Sequence, residues 1–473
     1  MNRKPKSIWL VITIVVSFIA WCGVRVALFL LTVYIPWRPD FSHDTGEVLN
    51  IYCRNDEFRI CMTEHYPGYK DNRDGTGRIG DVKVNWIMDS AYNMNYQDRL
   101  DTVLERQDYK DADQRVDIFL VEADYAPKYT NAEGVCVSMK ELGLTRYMSD
   151  QYQYTKDVVT DDRGRVNGAS PVANPGLYAY RRSAAREVFG TDDPEKIQKY
   201  FSDWDKFAES AEKLSDEGWK ILAGYDDAYR VYAQNVSDPW VVKGGLRVDD
   251  SLMDWVEQTK ELTDRGYNNQ AYQWSEEWFD GMTSSGDVFG YFGPSWFIDY
   301  SLARGSLDDF WGEPEVGNGT WGDWAVMEGP APYFWGGYWI CVAQGSDNTG
   351  LAADIIYQLT CNEDVMEDMI TEEELPFCNN RRVMKRLAKE GEPNEFLGGQ
   401  NALPLYCACA DDIRIEHGTA YDWDVEQCFR DAMSGYFDDK VDINTAIYSF
   451  HYEVERLYPE LVNGKLRNIK KRR

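Results

Sequence analysis

Residues 115–125 read RVDIFLVEADY, an apolar stretch that ends in acidic and aromatic residues. It is the third such stretch, after VLNIYCR (48–54) and VKVNWIMD (82–89), and a helical pattern over 96–107 separates the last two. Short apolar strands that alternate with helices are typical of a parallel sheet buried between helices. The sequence therefore predicts an α/β fold.

The residues directly after the predicted strands are the first candidates for a binding site. In open α/β sheets, ligands bind beyond the carboxyl ends of the strands. The first strand is followed by NDEF, and the third ends in EADY. We therefore expect Asn55, Glu57, Asp124 and Tyr125 to face a ligand.

Further helices and strands are predicted along the rest of the chain. Residues 191–218 place their apolar side chains on one helical face, with Asp193 as the cap and Gly218 at the end. A second amphipathic helix is predicted over 251–266. The stretch GDVFGYFG (286–293) is predicted to be a strand that runs into a helix.

The charge of the chain limits its partners. The 473 residues include 50 basic and 80 acidic side chains, which gives a formal charge of −30. A field of this sign repels nucleic acid and anionic lipid, so nucleic-acid binding is excluded as a function. The simplest interpretation of the charge is a solvated surface, and a cationic substrate is the alternative.

Motifs for metal or nucleophilic catalysis are missing from the sequence. The four histidines do not lie at metal-ligand spacing, and no GxSxG, GxxxxGK or GxGxxG motif is present. The ten cysteines include no CxxC pair; several lie in predicted strands as small buried side chains, and their pairing is left open. We therefore predict no cofactor and no metal.

The first 36 residues have the pattern of a membrane anchor. Basic residues within 1–7 precede the run 8–36, which is apolar except for Arg25 and long enough to span a bilayer. Positive charge before an apolar run places the N-terminus in the cytoplasm and the remaining chain outside. Lipidation at Cys22 is the alternative, but Trp21 stands where a lipoprotein signal has a small residue. We predict an uncleaved signal anchor with one transmembrane helix.

Aromatic residues are concentrated in short stretches that also carry polar side chains. The chain has 17 Trp and 31 Tyr, and APYFWGGYWICVA (331–343) places several rings around Gly336 and Gly337. Such a stretch is either a core strand or a surface that faces a ligand. A saccharide presents C–H faces that stack on rings and hydroxyls that carboxylates and amides bind. The stretches NDEF, EADY, DPWV, GPSWF and YFWGGYW combine these ingredients.

One catalytic function remains as an alternative. Glycoside hydrolases use two carboxyl groups on either side of the glycosidic oxygen, beside aromatic rings that hold the sugar. The carboxylates that would supply such a pair are Asp56, Glu57, Asp124, Glu276 and Glu277. Because the chain has 80 acidic residues, a chance pairing is easy, and hydrolysis is the minor alternative.

An ordered set of stretches resembles a known family. The chain looks like an extracellular solute-binding protein of a carbohydrate-uptake ABC transporter, of the family 1, maltose-binding-protein-like type. The stretches that carry the resemblance are LNIYCRNDEF, DIFLVEADYAPKY, DRGRVNGASPVANPGLYAYRRSAA, GYFGPSWF, GDWAVMEGPAPYFWGGYWICVAQGS, LPFCNNRRVM and FLGGQN. They cover most of the chain between about residues 47 and 460.

The resemblance implies an α/β, two-lobed periplasmic-binding-protein-like fold with crossing hinge segments, preceded by one N-terminal transmembrane helix. The crossings would lie near SPVANPG, GYFG and WGGYW. The implied division is a cytoplasmic tail (1–7), a signal anchor (8–36), a first lobe (47–165 and 286–337), a second lobe (166–285 and 338–462) and a basic tail (463–473).

The resemblance also implies a set of ligand-binding residues. WGGYW would cross the floor of the cleft, where two glycines let a ligand approach closely and a tryptophan offers its ring. Carried over by position, the ligand-binding residues are Asn55, Glu57, Asp124, Tyr125, Tyr178, Trp240, Trp296, Trp335, Gly336, Gly337 and Trp339.

The function implied by the resemblance is capture without catalysis. A monomer, held outside the cell membrane by its anchor, would close around a sugar or oligosaccharide and deliver it to the permease subunits of an ABC importer. Two other binding functions stay open. One is a receptor of the same fold for a cationic ligand such as a polyamine or peptide, and the other is a sensor without transport.

Overall fold

The structure is a computed structural model that describes residues 36–88, 96–372, 375–391, 393–415 and 418–462. The predicted signal anchor, except for Pro36, and the predicted cytoplasmic and basic tails lie outside these residues. Within the described ranges, no helix combines the length and the hydropathy that crossing a bilayer requires.

The strands and helices are numbered here in chain order through the described residues. The strands are β1 (Val48–Cys53), β2 (Tyr69–Asp71), β3 (Thr76–Ile79), β4 (Val82–Met88), β5 (Ile118–Glu122), β6 (Cys136–Val137), β7 (Gly176–Arg181), β8 (Leu222–Gly224), β9 (Val241–Val242), β10 (Gly245–Leu246), β11 (Asn268–Ala271), β12 (Gly290–Pro294), β13 (Trp324–Met327) and β14 (Tyr338–Ala343). The helices are α1 (Glu57–His65), α2 (Tyr96–Glu105), α3 (Ala126–Thr130), α4 (Gln153–Asp157), α5 (Arg182–Phe189), α6 (Pro194–Ile197), α7 (Trp204–Asp216), α8 (Tyr229–Ala233), α9 (Asp250–Asp264), α10 (Glu276–Asp280), α11 (Ala303–Gly305), α12 (Thr349–Thr360), α13 (Glu363–Thr371), α14 (Arg381–Glu390), α15 (Leu403–Asp412), α16 (Asp422–Phe437), α17 (Ile443–Leu457) and α18 (Pro459–Val462).

The three strands predicted at the start of the chain form the centre of one sheet, which we call the first sheet. Its order is β2-β3-β4-β1-β5-β14-β6. Strand β1 pairs in parallel with β4 on one side and with β5 on the other, as the sequence predicts. The pairs β3–β4 and β5–β14 are antiparallel, so the sheet is mixed towards its edges. The predicted α/β architecture is confirmed.

Helices cover the first sheet because their apolar residues recur at helical spacing. In α12, Leu351, Ile355 and Leu359 follow one another at intervals of four and are all buried, which turns one face of the helix towards the core. This helix packs on α1 and on β14. A fully buried Leu or Ile side chain contributes about 2 kcal/mol, so this single face stabilises the layer substantially.

A second sheet gathers strands from distant parts of the chain. Strand β7 lies at its centre and pairs antiparallel with β12 and β13. The implied division of the chain is therefore wrong for two segments. The segment 286–337 was placed with the first lobe, but its strands β12 and β13 pair with β7. Strand β14 was placed with the second lobe (338–462), but it belongs to the first sheet. Which strands pair depends on contacts between distant parts of the chain, and the local sequence of a strand does not specify these contacts.

The chain passes between the two sheets where the resemblance placed two of three crossings. Residues 169–175 run antiparallel to 334–340, with bridges from Ala169 to Ile340 and from Pro175 to Phe334. The third predicted crossing, GYFG, is wrong, because it lies within β12 inside the second sheet. The third passage instead lies between α13, which packs on α1, and α15, which packs on β7.

The helix predicted over 191–218 is interrupted. The structure has a short α6 and a separate α7, whose N-cap Asp203 accepts a hydrogen bond from the backbone N–H of Lys206 at 2.9 Å. Asp193 caps α6, as the sequence predicts. Phe201, between the two helices, is fully buried against Phe289, and α7 starts anew at the cap that Asp203 provides.

Helices α16 and α17 complete the second half of the fold. They pack on each other, and Phe429 of α16 contacts Phe450 of α17 at a ring-centroid distance of 5.3 Å. Phe429 also contacts Trp255 of α9, which fixes α16 against the helices around the second sheet. The N-terminal half of α16 carries the polar residues that reach the candidate site.

Candidate binding site

A cavity of about 130 Å³, which we call the main cavity, lies between residues that follow β5 and residues of α8 and α16. On one side it is lined by Ala123, Asp124, Pro127 and Val158. The remaining lining residues are Arg230, Ala233, Gln234, Val236, Asp238, Pro239, Trp240, Arg247, Leu252, Phe334, Ile415, Gly418, Asp422, Trp423 and Glu426. The carboxyl end of β5 therefore borders a cavity, where open α/β sheets bind ligands.

An ion pair joins the two sides of the main cavity. Asp124, just beyond β5, accepts two hydrogen bonds from Arg230 of α8, with distances of 2.9 Å from Nη1 and 3.0 Å from Nη2. Such a bidentate pair has the geometry that makes Arg–carboxylate contacts strong. Burial alone would lower the pKa of Arg230, but attraction to Asp124 and Glu426 outweighs it and raises the pKa.

The ion pair extends into a buried network on α16. Glu426 Oε1 lies 3.5 Å from Arg230 Nη2 and 3.6 Å from Arg430 Nη1, and Arg430 pairs with Asp226 at 3.1 Å. Both Glu426 distances are too long for good hydrogen bonds, and Oε1 has no hydrogen-bond partner. Burial raises the pKa of Glu426, although the nearby arginines oppose this shift. The Glu426 side chain lines the cavity, and its Oε1 atom lies between two arginines without a close hydrogen-bond donor.

Aromatic rings form the apolar wall of the main cavity. Trp240 is held by Phe429 at a ring-centroid distance of 5.3 Å and by Phe450 at 5.9 Å. Trp423 packs against Tyr125, with ring centroids 4.8 Å apart and planes tilted by 37°. Rings fixed by other rings keep a defined orientation, so the cavity offers rigid faces beside its charged groups.

Three tryptophans form a second aromatic feature beside the cavity, which we call the indole surface: Trp274, Trp296 and Trp335. Trp274 lies 6.4 Å from Trp296, with nearly parallel planes, and 5.8 Å from Trp335. Trp296 Nε1 donates a hydrogen bond to the Trp335 carbonyl at 3.1 Å, which fixes that ring. Arg230, which lines the cavity, lies 5.9 Å over the Trp335 ring. The indole surface therefore adjoins the main cavity.

Trp274 was not predicted from the sequence. It follows β11, whose residues NNQA have no apolar pattern, so no strand end marked this position. Its backbone φ is +71°, a conformation that costs a bulky residue on the order of 1–3 kcal/mol. Its side chain is nevertheless 45% exposed. A strained backbone at a half-exposed ring makes Trp274 a candidate functional residue.

The Gly336–Gly337 pair lies on the crossing segment next to the indole surface. Both residues have positive φ, 76° and 97°. A Cβ at Gly336 would lie 3.4 Å from Trp296 Nε1, and one at Gly337 would lie 3.2 Å from Asn174 Nδ2. The glycines allow the chain itself to come close at the crossing. Close approach of a ligand remains a prediction.

Asn55 and Glu57 lie at a different, smaller cavity of about 30 Å³. The lining residues include Tyr338 and the pair Arg54–Glu122, with Nη1–Oε distances of 2.7 and 2.5 Å. The predicted residues at the ends of β1 and β5 are therefore divided between two cavities. Asp124 lines the main cavity, and Asn55 and Glu57 line the smaller one.

Two predicted binding residues are core residues in the structure. Tyr178 is fully buried in β7, packs on Phe292 and donates a hydrogen bond to the Ile221 carbonyl at 2.6 Å. Trp339 is buried in β14, and its Nε1 donates to the Thr155 carbonyl at 2.7 Å. Neither residue lines either cavity. Both rings lie on buried faces of their strands, where they pack in the core.

The carboxylates proposed for glycoside hydrolysis do not converge. Among the five described candidates, Asp124 lines the main cavity, Glu57 lines the smaller one, and Asp56, Glu276 and Glu277 line neither. Asp124 is also bound by Arg230. Over the described ranges, no group of three or more His, Cys, Asp and Glu side chains is arranged to hold a metal ion.

Comparisons with known proteins agree with this architecture. Residues 77–379 match the family model described as bacterial extracellular solute-binding protein. A crystal structure of an extracellular solute-binding protein of family 1 has a TM-score of 0.70 at 16% identity, over 86% of this chain and 99% of that one. A search of curated proteins finds no significant match.

Two further structures come from bifidobacteria. The binding protein associated with an ABC transporter of B. animalis subsp. lactis Bl-04, in complex with beta-1,6-galactobiose, has a TM-score of 0.60 at 15% identity, over 87% of this chain and 98% of that one. The galacto-N-biose-/lacto-N-biose I-binding protein of Bifidobacterium longum has a TM-score of 0.59 at 14% identity, over 88% and 99%. At these identities the likeness establishes the two-lobed α/β fold.

Proposed function

The chain belongs to the family of bacterial extracellular solute-binding proteins, and on that premise we propose that it is the substrate-binding subunit of an ABC importer. The family expected from the sequence is confirmed at this level. In the proposed function, the two lobes close around a sugar or oligosaccharide and present it to a membrane permease. The role is binding without catalysis.

One observation carries the proposal: the main cavity is lined by groups from both sides of the fold. Asp124 follows β5 of the first sheet, whereas Arg230 and Trp240 belong to elements packed around the second. A ligand in this cavity touches both sides only when they are close together, so binding selects the closed arrangement. Hinge closure of this kind is the expected mechanism of capture.

The chemistry of the cavity favours a saccharide. Trp240 and Trp423 offer ring faces, and Glu426 Oε1 is a buried acceptor for a hydroxyl group. The two bifidobacterial proteins are described as complexes with a galactobiose and with lacto-N-biose. Rings beside hydrogen-bonding groups are what such ligands require.

A cationic ligand is the second candidate, and one observation favours it. Four carboxylates line the main cavity, Asp124, Asp238, Asp422 and Glu426, against Arg230 and Arg247. However, two of these carboxylates are already neutralised, because Arg230 pairs with Asp124 and Arg247 pairs with Asp238. Arg230 also lies over the Trp335 ring, where a cationic ligand would otherwise bind. We therefore rank a polyamine or peptide below a saccharide.

The cellular setting of the proposal follows from the sequence pattern of the anchor. A binding domain outside the cell membrane, tethered by the predicted segment 8–36, would stay at high effective concentration near its permease. We propose that the protein acts there as a monomer, with the permease subunits as its protein partners.

Thermal-shift measurements on the protein test the proposed function. A ligand that binds only the native state raises the melting temperature, so sugars, polyamines and short peptides are compared at equal concentration. We expect saccharides to raise the melting temperature and amines and peptides to leave it unchanged. Stabilisation by spermidine or peptides, and by no saccharide, would reverse the ranking of the two candidates.

A matched pair of variants tests the location of the site. Gln234 lines the main cavity, so Gln234→Ala should weaken saccharide binding by roughly fivefold to tenfold, the equivalent of one lost hydrogen bond of about 1 kcal/mol. Gln258→Ala, on α9 and away from both cavities, is the control and should bind like the parent protein. Equal affinities for the two variants in calorimetric titrations would place the site elsewhere.

A further inference from the structure

We propose that contacts of the protein itself hold the two sides of the main cavity together, so that the lobes are closed before a ligand binds. This inference rests on the proposed function only in taking hinge closure as the motion that admits a ligand. It adds a regulation: the contacts between the lobes, which we call the latch, limit access to the main cavity. The latch consists of the ion pair of Asp124 with Arg230, the ring pair of Tyr125 with Trp423, and a hydrogen bond from Asn131 to Gly418.

The first step is that the three contacts start from one short segment of the first side. Asp124 and Tyr125 follow β5, and Asn131 directly follows α3. This segment is fixed to the first sheet, because the Tyr129 ring of α3 packs on Phe119 of β5 at a ring-centroid distance of 5.9 Å. The segment therefore moves with the first sheet.

The second step is that the three partners belong to the other side. Arg230 lies on α8, whose residues Tyr229 and Val231 are buried in the core around the second sheet. Trp423 lies on α16, and Gly418 precedes this helix. Both α8 and α16 pack on α9. The latch therefore crosses from one side of the main cavity to the other.

The third step is the strength of the latch. Asp124 accepts two hydrogen bonds from Arg230 at 2.9 and 3.0 Å, and such charge-assisted bonds are roughly twice as strong as neutral ones. The Arg230 side chain is 13% exposed, so salt in the solvent screens this pair little. Asn131 Nδ2 donates to the Gly418 carbonyl at 2.9 Å. Each contact joins protein atoms alone, so it favours the closed arrangement whether or not a ligand is bound.

The consequence of the latch concerns the entry of a ligand. A ligand reaches the interior of the main cavity only while the two sides are apart. The rate of entry is therefore reduced by the fraction of molecules that the latch keeps closed. Breaking a latch contact should increase the population of the open arrangement.

Chemical modification of Trp240 tests the latch without any ligand. Trp240 lines the main cavity and is 8% exposed, so a reagent of the size of hydroxynitrobenzyl bromide reaches its ring when the cavity opens. The full chain is treated with this reagent, and the yield at each tryptophan is read by mass spectrometry of its peptides. Because hinge motions are fast relative to modification, the yield follows the population of the open arrangement.

The variants are Asp124→Asn, Asn131→Ala and, as the control, Asn235→Ala. Asn131 lines neither cavity, so its substitution removes a latch contact without changing the cavity wall. Asn235 also lines neither cavity. Its Nδ2 donates to the carbonyls of Val231 and Pro332 at 2.8 and 2.9 Å, and neither acceptor is part of the latch. The control therefore loses the same kind of hydrogen bond without loosening the contact between the two sides.

We expect Asn131→Ala to raise the yield at Trp240 by roughly threefold to tenfold, the factor that one hydrogen bond contributes, and Asp124→Asn to raise it at least as much. The core residues Trp324 and Trp339 are 0% and 1% exposed, and their yields should stay at the level of the parent protein. Asn235→Ala should match the parent at every tryptophan. If Asp124→Asn does not fold, Asn131→Ala alone decides the result.

Three outcomes overturn the inference. The first is an unchanged yield at Trp240 in Asn131→Ala, and the second is an equal rise in the control. The third is a rise at Trp324 and Trp339 together with Trp240, because this pattern reports general unfolding and gives the contacts a merely structural role. No saccharide enters the experiment, so a failure of the latch is distinguishable from a failure of the proposed function, which thermal shifts with sugars decide.

Discussion

Replacing Arg230 by methionine should destabilise the protein, because it leaves the carboxylate of Asp124 without its partner. The substitution keeps an unbranched apolar stem and removes the charged guanidinium group. Asp124 then loses two hydrogen bonds of 2.9 and 3.0 Å, and Glu426 loses one of its two neighbouring cations. A carboxylate left in a buried position without its partner is the source of the cost.

The magnitude follows from burial. Breaking a buried ion pair by removing one partner costs roughly 3–5 kcal/mol. The side chain of Arg230 is 13% exposed and that of Asp124 is 26% exposed, so water can partly solvate the remaining carboxylate. We therefore expect a loss near the lower end, about 3 kcal/mol. With an unfolding entropy of about 2.1 cal/mol/K per residue, this corresponds to a melting temperature lower by about 3 °C.

Differential scanning calorimetry on a double-mutant cycle measures this loss. Asp124→Asn alone leaves Arg230 buried without its main partner, and the double variant removes both charges. The two single losses should exceed the loss in the double variant by at least 1 kcal/mol, because residues in direct contact are not additive. Additive losses, or an Arg230→Met variant that melts within 1 °C of the parent, would refute the argument that this pair is a buried, coupled link.

Two further predictions concern residues away from the main cavity. Trp339→Phe should lower the free energy of unfolding in urea by about 2 kcal/mol, because the Thr155 carbonyl loses its 2.7 Å hydrogen bond. The affinity for saccharides should stay unchanged. A weaker affinity in a variant that is still folded would return Trp339 to the binding site. Burial raises the pKa of Asp227 to about 7. Because the folded state holds this proton more tightly than the unfolded chain, the stability that Asp227 contributes should fall as the pH rises from about 4 to 7. Asp227→Asn removes this contribution, so the difference in stability between the variant and the parent should change over this pH range, and a constant difference would contradict the assignment.

The centre of the first sheet was predictable because its strands carry their own signal. The stretches 48–54, 82–89 and 115–125 are apolar, short and separated by helical or turn patterns, and they became β1, β4 and β5. Their parallel pairing followed from the connections between them. In this part of the chain the apolar pattern of each strand and the helices between the strands indicate the same parallel sheet, so the sequence predicts it correctly.

The division of the chain between the two sheets was not predictable in the same way. Strands β12 and β14 both lie within apolar, ring-rich stretches, and the local sequence does not indicate which sheet each strand will join. The same limit applies to Tyr178 and Trp339, because a ring on a buried strand has the same sequence appearance as a ring on a ligand platform.

The charged groups of the site were missed for a different reason. Arg230 and Glu426 are almost two hundred residues apart, and Asp124 lies more than a hundred residues before Arg230. Ion pairs between such distant positions leave no spacing in the sequence. Asp124 was the exception, because an acidic residue at the end of a predicted strand indicated a binding residue. This prediction located one side of the main cavity.

The position of β14 between β5 and β6 has a consequence for folding during synthesis. These neighbours cannot be joined until residue 343 has been made, roughly 220 residues after β5 ends. At 5–20 residues per second, synthesis leaves the apolar edge of β5 uncovered for about 10–45 s. During this interval we expect the uncovered edge of β5 to be open to pairing with other chains, so depletion of holding chaperones should increase aggregation of this protein.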